Sequence, residues 1–448
     1  MSRFTFPVEI LPCASMPSVV GSSCADPQHM SLTANGRSEL RGSCMALDPV
    51  ESKIVDAIAG RRERMLADLA ALVSIPTGHG FREGLEQTRS WMAARLGALG
   101  ATITRSAGAA RPDWLREPSV AGADACEMIC AMRIGSGTGA RILLSGHLDT
   151  VHDPAGSFRK LSAEVDGIRQ GPGAADMKGG LVVALTGLES LYALEIPVRW
   201  SFALNADEES GSFASAAHLQ ALAKEHDIGL VLEPTAAEGK FVTARAGSAQ
   251  FRIDAFGRAA HAGRDAAQGI SAVGALAGAI TQVLAISDPA VGRTVNIGPL
   301  QGGAATNIVP DHAAAWGNAR YSNDAQRGEI EATLAACATN DASALPRVTV
   351  RVIHNRPRKP ETPAVRAIAD IALGVAADLG IKAGTTATGG VSDANVLQAA
   401  GLPCLDGLGV RGGNLHRLDE FVVVESLVER ATLLAILMHR LARTPSVL

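Results

Sequence analysis

Five polar islands in this chain hold residues able to do chemistry, and each one closes an apolar segment. They are Ser145-Gly-His147-Leu-Asp149-Thr, Gly171-Pro-Gly-Ala-Ala-Asp176-Met-Lys-Gly-Gly180, Asn205-Ala-Asp-Glu208-Glu209-Ser-Gly211, Leu232-Glu233-Pro-Thr and Asn414-Leu-His416-Arg-Leu-Asp-Glu420. Together they supply two histidines and several carboxylates. Nitrogen and oxygen ligands without cysteine suit zinc, cobalt or manganese better than an iron-sulfur cluster or a structural zinc. In His147-Leu-Asp149 the spacing of two on an extended backbone points both side chains the same way, so Asp149 can fix the imidazole from behind. Taken singly, each island is more simply a loop carboxylate or a solvated histidine, and Glu208-Glu209 alone could be an acidic helix start. Five of them at the ends of predicted strands and loops favour a shared metal site.

The elements that must position these islands follow from hydrophobic spacing. From Val50 a helical pattern carries Ile54, Ile58, Met65, Leu69 and Leu72 on one face until Ile75-Pro76 ends it. A second helix is expected near Thr88 to Leu99, then a polar loop, then a buried strand at 141–144 that leads directly into His147. Leu181 to Leu194 reads as a helix, while Val198, Trp200, Phe202 and Leu204 alternate as a strand should, with Asp207-Glu-Glu209 following. Ile228 to Leu232 is another buried strand, closed by Glu233-Pro234. Strands alternating with helices indicate an α/β sheet, whose ligands gather beyond the strand ends. Between about Gly247 and His354 the order becomes β-α-β-β-α-β, a ferredoxin-like unit that interrupts the first domain, since helices and strands of the earlier character resume from Pro363. The expected division is 50–246 with 355–448 as the metal-bearing domain, 247–354 as the insert, and 1–49 as a disordered extension or an early start.

Composition narrows the function. The chain has 448 residues, enough for two or three domains at roughly 150 residues each. Lys+Arg 41 against Asp+Glu 45 leaves a net charge of -4, which argues against a nucleic-acid partner, and 4% aromatics argues against a base-stacking surface. The uncharged stretch Ala266 to Ser287 has its larger apolar residues at 3/4 spacing and contains Gln268 and Gln282, so it reads as an amphipathic helix and no membrane span is expected. Seven cysteines, an odd number without repeated spacing, read as reduced thiols. With no secretory pattern in the first 44 residues, a cytoplasmic location is expected.

These motifs, GHLDTV, GPGAADMKGG, ADEESGS, LEPT and the late histidine, resemble in order and approximate spacing those of the dizinc metallopeptidases that include aminoacylase, acetylornithine deacetylase, succinyl-diaminopimelate desuccinylase and glutamate carboxypeptidase. The resemblance covers about Val50 to Ala442. It implies a zinc-peptidase-like catalytic domain, a mixed sheet flanked by helices, interrupted by a ferredoxin-like lid and dimerisation domain. It also implies two zinc ions per chain, with cobalt or manganese possible alternatives: His147, Asp176 and Glu233 on one, Asp176, Glu209 and His416 on the other, and Asp176 bridging. Glu208 is then the general base and Asp149 the partner of His147.

In the insert, Gly257-Arg-Ala-Ala-His261-Ala-Gly263 resembles the family segment whose histidine reaches the partner subunit's site, and Asn307 the family's substrate-contacting asparagine. As a plain reading, His261 is a turn residue and Asn307 a common turn former before a strand. Arg356 matches the position that holds a substrate's free α-carboxylate, with Arg358 as the alternative, and Gly389-Gly390 matches a segment lining that pocket. The resemblance therefore implies a homodimeric hydrolase that cleaves the amide of an N-acyl amino acid or a short peptide with a free carboxylate, most like glutamate carboxypeptidase. A deacylase of the acetylornithine or desuccinylase type is the alternative, and a non-catalytic binding protein on the same frame the more distant one.

Overall fold

The structure, a computed structural model, describes residues 47–78, 80–116, 126–135, 139–341 and 343–443. The extension expected at the start of the chain lies, up to residue 46, outside these. Asp48 caps the helix Pro49–Ala59: its carboxylate accepts from the Val50 and Glu51 amides at 2.8 Å, and Glu51 answers by accepting from the Asp48 amide at 3.0 Å. The helical pattern expected as one run is two helices, Pro49–Ala59 and Arg62–Ser74, broken at Gly60. Glycine is among the weakest helix formers, and the break still leaves Ile54, Ile58, Met65, Leu69 and Leu72 buried on one side.

Six strands form the larger sheet, in the spatial order Thr102–Ser106, Met128–Arg133, Arg199–Asn205, Arg141–His147, Ile228–Val231 and Cys404–Leu405. The last four run parallel, and the first two add an antiparallel edge. That edge pair lies where the sequence suggested only a polar loop. Thr102–Ser106 is five residues long with no buried position, so it carries no apolar alternation to betray it. Helices cover the sheet, among them Gly180–Ala193, which is buried along nearly its whole length, and Glu425–Arg443, which packs on it. A helix apolar all round belongs in a core.

The insert forms a separate four-stranded antiparallel sheet in the order Arg347–Arg356, Gly247–Phe256, His312–Tyr321, Thr294–Gly302. With the helices Ala272–Leu284 and Asp324–Ala336 it realises the expected β-α-β-β-α-β order. Phe251, Ile253, Leu276, Val283, Ile330 and Leu334 make its own apolar core. The chain enters and leaves this unit side by side, because Arg356 pairs with Ser248 across the first and last strands. No helix among the described residues is long and apolar enough to cross a membrane.

Candidate active site

Three of the five islands sit at the carboxyl ends of adjacent parallel strands. His147 ends Arg141–His147, the Asp207-Glu209 turn follows Arg199–Asn205, and Glu233 lies just past Ile228–Val231. This is where an open α/β sheet exposes the groove between its strand ends. Asp176 arrives on the turn before the helix Gly180–Ala193. His416 arrives from the loop after Gly412–Gly413, with φ of 65°, a left-handed backbone that costs a non-glycine residue energy.

The side chains converge. His147 Nε2 lies 3.3 Å from Asp176 Oδ1 and 3.9 Å from Glu233 Oε1. His416 Nε2 lies 3.4 Å from Asp176 Oδ2 and 3.3 Å from Glu209 Oε2. Asp176 thus presents one oxygen to each histidine, the disposition a bridging ligand needs. His147, Asp176 and Glu209 offer ligand atoms within 4.8 Å of one another, and so do His147, Glu208 and Glu233. On the far side of the imidazole, His147 Nδ1 is 2.9 Å from the Asp149 carbonyl and 3.4 Å from its carboxylate. Asp149 also accepts from the amides of Glu208 at 3.3 Å and Glu209 at 3.0 Å, so one carboxylate joins the His147 strand to the acidic turn.

Burial, more than mutual repulsion, sets the protonation of this cluster, and the two histidines hold Asp176 below the usual carboxylate range. Burial raises Glu209, and burial with the neighbouring Asp176 raises Glu233 well above the carboxylate range. Burial pushes Glu208 up to about 7, with Arg356 opposing. Hydrogen bonds to Asp176 and Glu209 lift His416 to about 10. Burial opposes protonation of His147, but Asp149 and Asp176 outweigh it and hold the imidazole well above its usual value. Glu209 Oε1 is buried with no hydrogen-bond partner among the described residues. A mixed imidazole and carboxylate set of this density, with an orphaned oxygen inside it, fits divalent metal ions.

A cavity of about 480 Å³ opens from Glu208, Glu209 and His416 towards the inserted sheet. Ser248, Gln250, Trp316, Asn318 and Arg320 line it, together with Arg111 and Arg356. A second cavity of about 280 Å³ adjoins the same carboxylates and is walled by Thr235, Arg245, Thr388 and Leu415. Gly390 lines both. Arg356 is buried and bound to Glu208, and it also donates to Ser212 Oγ at 2.6 Å. Arg358, its alternative, lies on the surface against Asp324 at 2.9 Å and lines neither cavity. His261 is exposed, its Nδ1 accepting from the amides of Gly263 and Arg264 at 3.1 and 3.2 Å, and neither it nor Asn307 nor Gly389 lines either cavity.

Sequence reasoning passed over Arg111, Arg245, Asn318 and Arg320. A signal for two of them was present. Along His312–Tyr321, Ala313, Ala315, Ala319 and Tyr321 face the helices, so the period of two puts Trp316, Asn318 and Arg320 on the opposite face, which is the cavity wall. Arg245 and Arg111 had no such pattern, because their position follows from tertiary packing.

Residues 143–440 match the peptidase family M20/M25/M40, and the chain belongs to it. It is a metal-dependent hydrolase. It is 30% identical over 392 residues to carboxypeptidase G2 of Pseudomonas sp. (strain RS-16), a match covering 85% of this chain and 90% of that protein. It is 26% identical to succinyl-diaminopimelate desuccinylase of Methylobacterium radiotolerans, over 67% of this chain and 80% of that one. Among solved structures it superposes on a tripeptidase from Staphylococcus aureus with a TM-score of 0.68 and 23% identity, covering 86% of this chain and 99% of that chain, which shows the shared fold.

Proposed function

We propose that this hydrolase cleaves the amide bond of an N-acyl amino acid or short peptide that ends in a free carboxylate, in the manner of a glutamate carboxypeptidase. The observation that carries this reading is the larger cavity: it starts at the acidic cluster and is lined by three guanidinium groups, Arg111, Arg320 and Arg356. Nη1 of Arg320 is buried without a hydrogen-bond partner among the described residues. A planar guanidinium suits a carboxylate because it can donate two parallel hydrogen bonds.

In this reading His147, Asp176 and Glu233 would hold one ion, taken as zinc, and Asp176, Glu209 and His416 the other. When bound, the ions would polarise the scissile carbonyl and lower the pKa of a water towards neutrality. Glu208 takes that water's proton and passes it to the leaving nitrogen. Asp149 holds the His147 ring and the turn that carries Glu208. A substrate carboxylate that engages Arg356 competes with Glu208 for the same guanidinium and so frees the base as the substrate arrives.

We assign residues 50–246 and 355–448 to the metal-bearing domain and 247–354 to a lid through which two copies pair. An apolar strip supports the pairing: Val273 and Leu300, 40% and 60% exposed, flank a groove between the helix Ala272–Leu284 and the edge strand Thr294–Gly302. His261, exposed on the same unit, serves the partner subunit's site by stabilising the developing oxyanion. Steady-state hydrolysis of N-acyl and peptidyl amino acids, as free acids and as carboxyl amides, tests the proposal after zinc loading. Cleavage of the free acids with poor turnover of the amides is expected, and equal rates on both overturn it.

A further inference from the structure

Glu420 lies four residues beyond His416 and is 1% exposed. A carboxylate buried that deeply must be paid for by hydrogen bonds, and its partners here are specific. Oε1 accepts from the backbone amides of Ala175 at 2.9 Å and Asp176 at 3.0 Å. Oε2 accepts from the amide of Gly173 at 3.2 Å and lies 2.7 Å from His152 Nε2. The Glu420 carbonyl accepts from the Gly171 amide at 3.0 Å.

These partners belong to three different ligand-bearing segments. His152 follows His147 by five residues, Gly173 to Asp176 form the turn that presents the bridging carboxylate, and Glu420 itself ends the loop that carries His416. Two of the bonds fall on the Asp176 amide and the one before it, so Glu420 directly fixes the backbone that presents this carboxylate. His416 stands on a left-handed backbone and is half exposed, so its loop has little packing of its own to hold it. Asp149 joins the remaining acidic turn to His147 in the same manner. The two carboxylates divide the work: Asp149 ties the first histidine to Glu208 and Glu209, and Glu420 ties the bridging aspartate to the second histidine.

We infer that Glu420 is a positioning residue for the metal pair, and that it sets the affinity of the ion shared by Asp176, Glu209 and His416. It does so by holding the Asp176 turn and the His416 loop in one register, with His152 orienting the carboxylate. The inference rests on the two-metal reading of the site. Groups that orient metal ligands from behind are worth about 10- to 100-fold in affinity.

The test is zinc binding to the full chain, read by competition with a chromogenic chelator, beside thermal melting of the metal-free protein. The unmodified chain should bind two zinc ions; one or none would overturn the two-metal reading and this inference with it. In Glu420→Gln, which keeps the side chain's shape but removes the charge and one acceptor, one of the two ions should bind about 10- to 100-fold more weakly, with the metal-free melting temperature little changed. His152→Gln keeps a donor of different reach and should weaken the same ion several-fold, and it decides the question if Glu420→Gln does not fold. Two zinc ions bound with unchanged affinity in whichever of these variants folds would overturn the inference while leaving the two-metal reading intact.

Discussion

The guanidinium of Arg356 holds Glu208 at two points: Nη1 is bonded to the carboxylate, and Nη2 donates to the Glu208 carbonyl at 2.8 Å. Both residues are buried, and Asp393 stands 3.6 Å from the same guanidinium. The strand Arg347–Arg356, at the end of which the chain leaves the inserted sheet, is thereby joined to the acidic turn of the larger sheet. One cation serves both a group placed to move a proton and, in the proposed reaction, the substrate's carboxylate.

Arg356→Lys is expected to retain metal and to lose roughly tenfold to over a hundredfold in kcat/KM on free-acid substrates. Lysine offers a compact point charge that cannot serve Glu208 and a carboxylate in the same plane, and a charge-assisted hydrogen bond is worth about 1.5 to 3 kcal/mol. Steady-state kinetics with metal analysis checks this. Unchanged kcat/KM would remove Arg356 from substrate recognition.

Glu208→Gln should keep both metals and lose at least about a hundredfold in kcat, because proton transfer by a placed side chain contributes that much or more. Glu209→Gln should instead lower the metal content, since its Oε2 faces His416 at 3.3 Å. Metal analysis beside turnover separates the two. Equal metal content and equal activity in both variants would refute the division of roles.

What the sequence made legible was whatever local spacing encodes. His147 and Asp149 were readable because a spacing of two on an extended segment has only one geometric meaning, and Glu233 because it directly follows an apolar run. Gly60 hid its break inside a continuous apolar stripe, and the edge strand Thr102–Ser106 showed no alternation. The engagement of Arg356 with Glu208, 148 positions away, was not readable at all. Contacts of that separation depend on how two sheets meet, and no periodicity within either one records it.

Removing metal should destabilise the fold as well as stop the reaction. The cluster brings Asp176, Glu208, Glu209 and Glu233 together, and without metal ions burial drives Glu208, Glu209 and Glu233 towards proton uptake. A ligand present at a hundredfold its Kd stabilises by about 2.7 kcal/mol. A chelator should therefore lower Tm, and zinc, cobalt or manganese should restore both Tm and turnover. An identical Tm and full activity after verified metal removal would contradict the site.

The position of His261 makes a prediction about subunits. Its ring is exposed, its Nδ1 is occupied by two backbone amides of its own turn, and it lines neither cavity beside the acidic cluster. With Nδ1 accepting, the proton of a neutral ring sits on Nε2, which is then a donor. Such a donor is useful to an oxyanion only in a site that its own chain does not present to it. If it acts across a dimer, His261→Ala and Glu208→Gln chains should each be nearly inactive alone. Mixed dimers of the two should regain activity, because one of their two sites then receives Glu208 from one chain and His261 from the other. Random pairing of equal amounts makes about half of the dimers mixed, each with one complete site, so recovery approaching a quarter of the unmodified activity is expected. Loss of a single oxyanion donor costs about a hundred- to a thousandfold in kcat, so that recovery stands far above either background. Absence of recovery in dimers shown to be mixed would place His261 outside the partner's site.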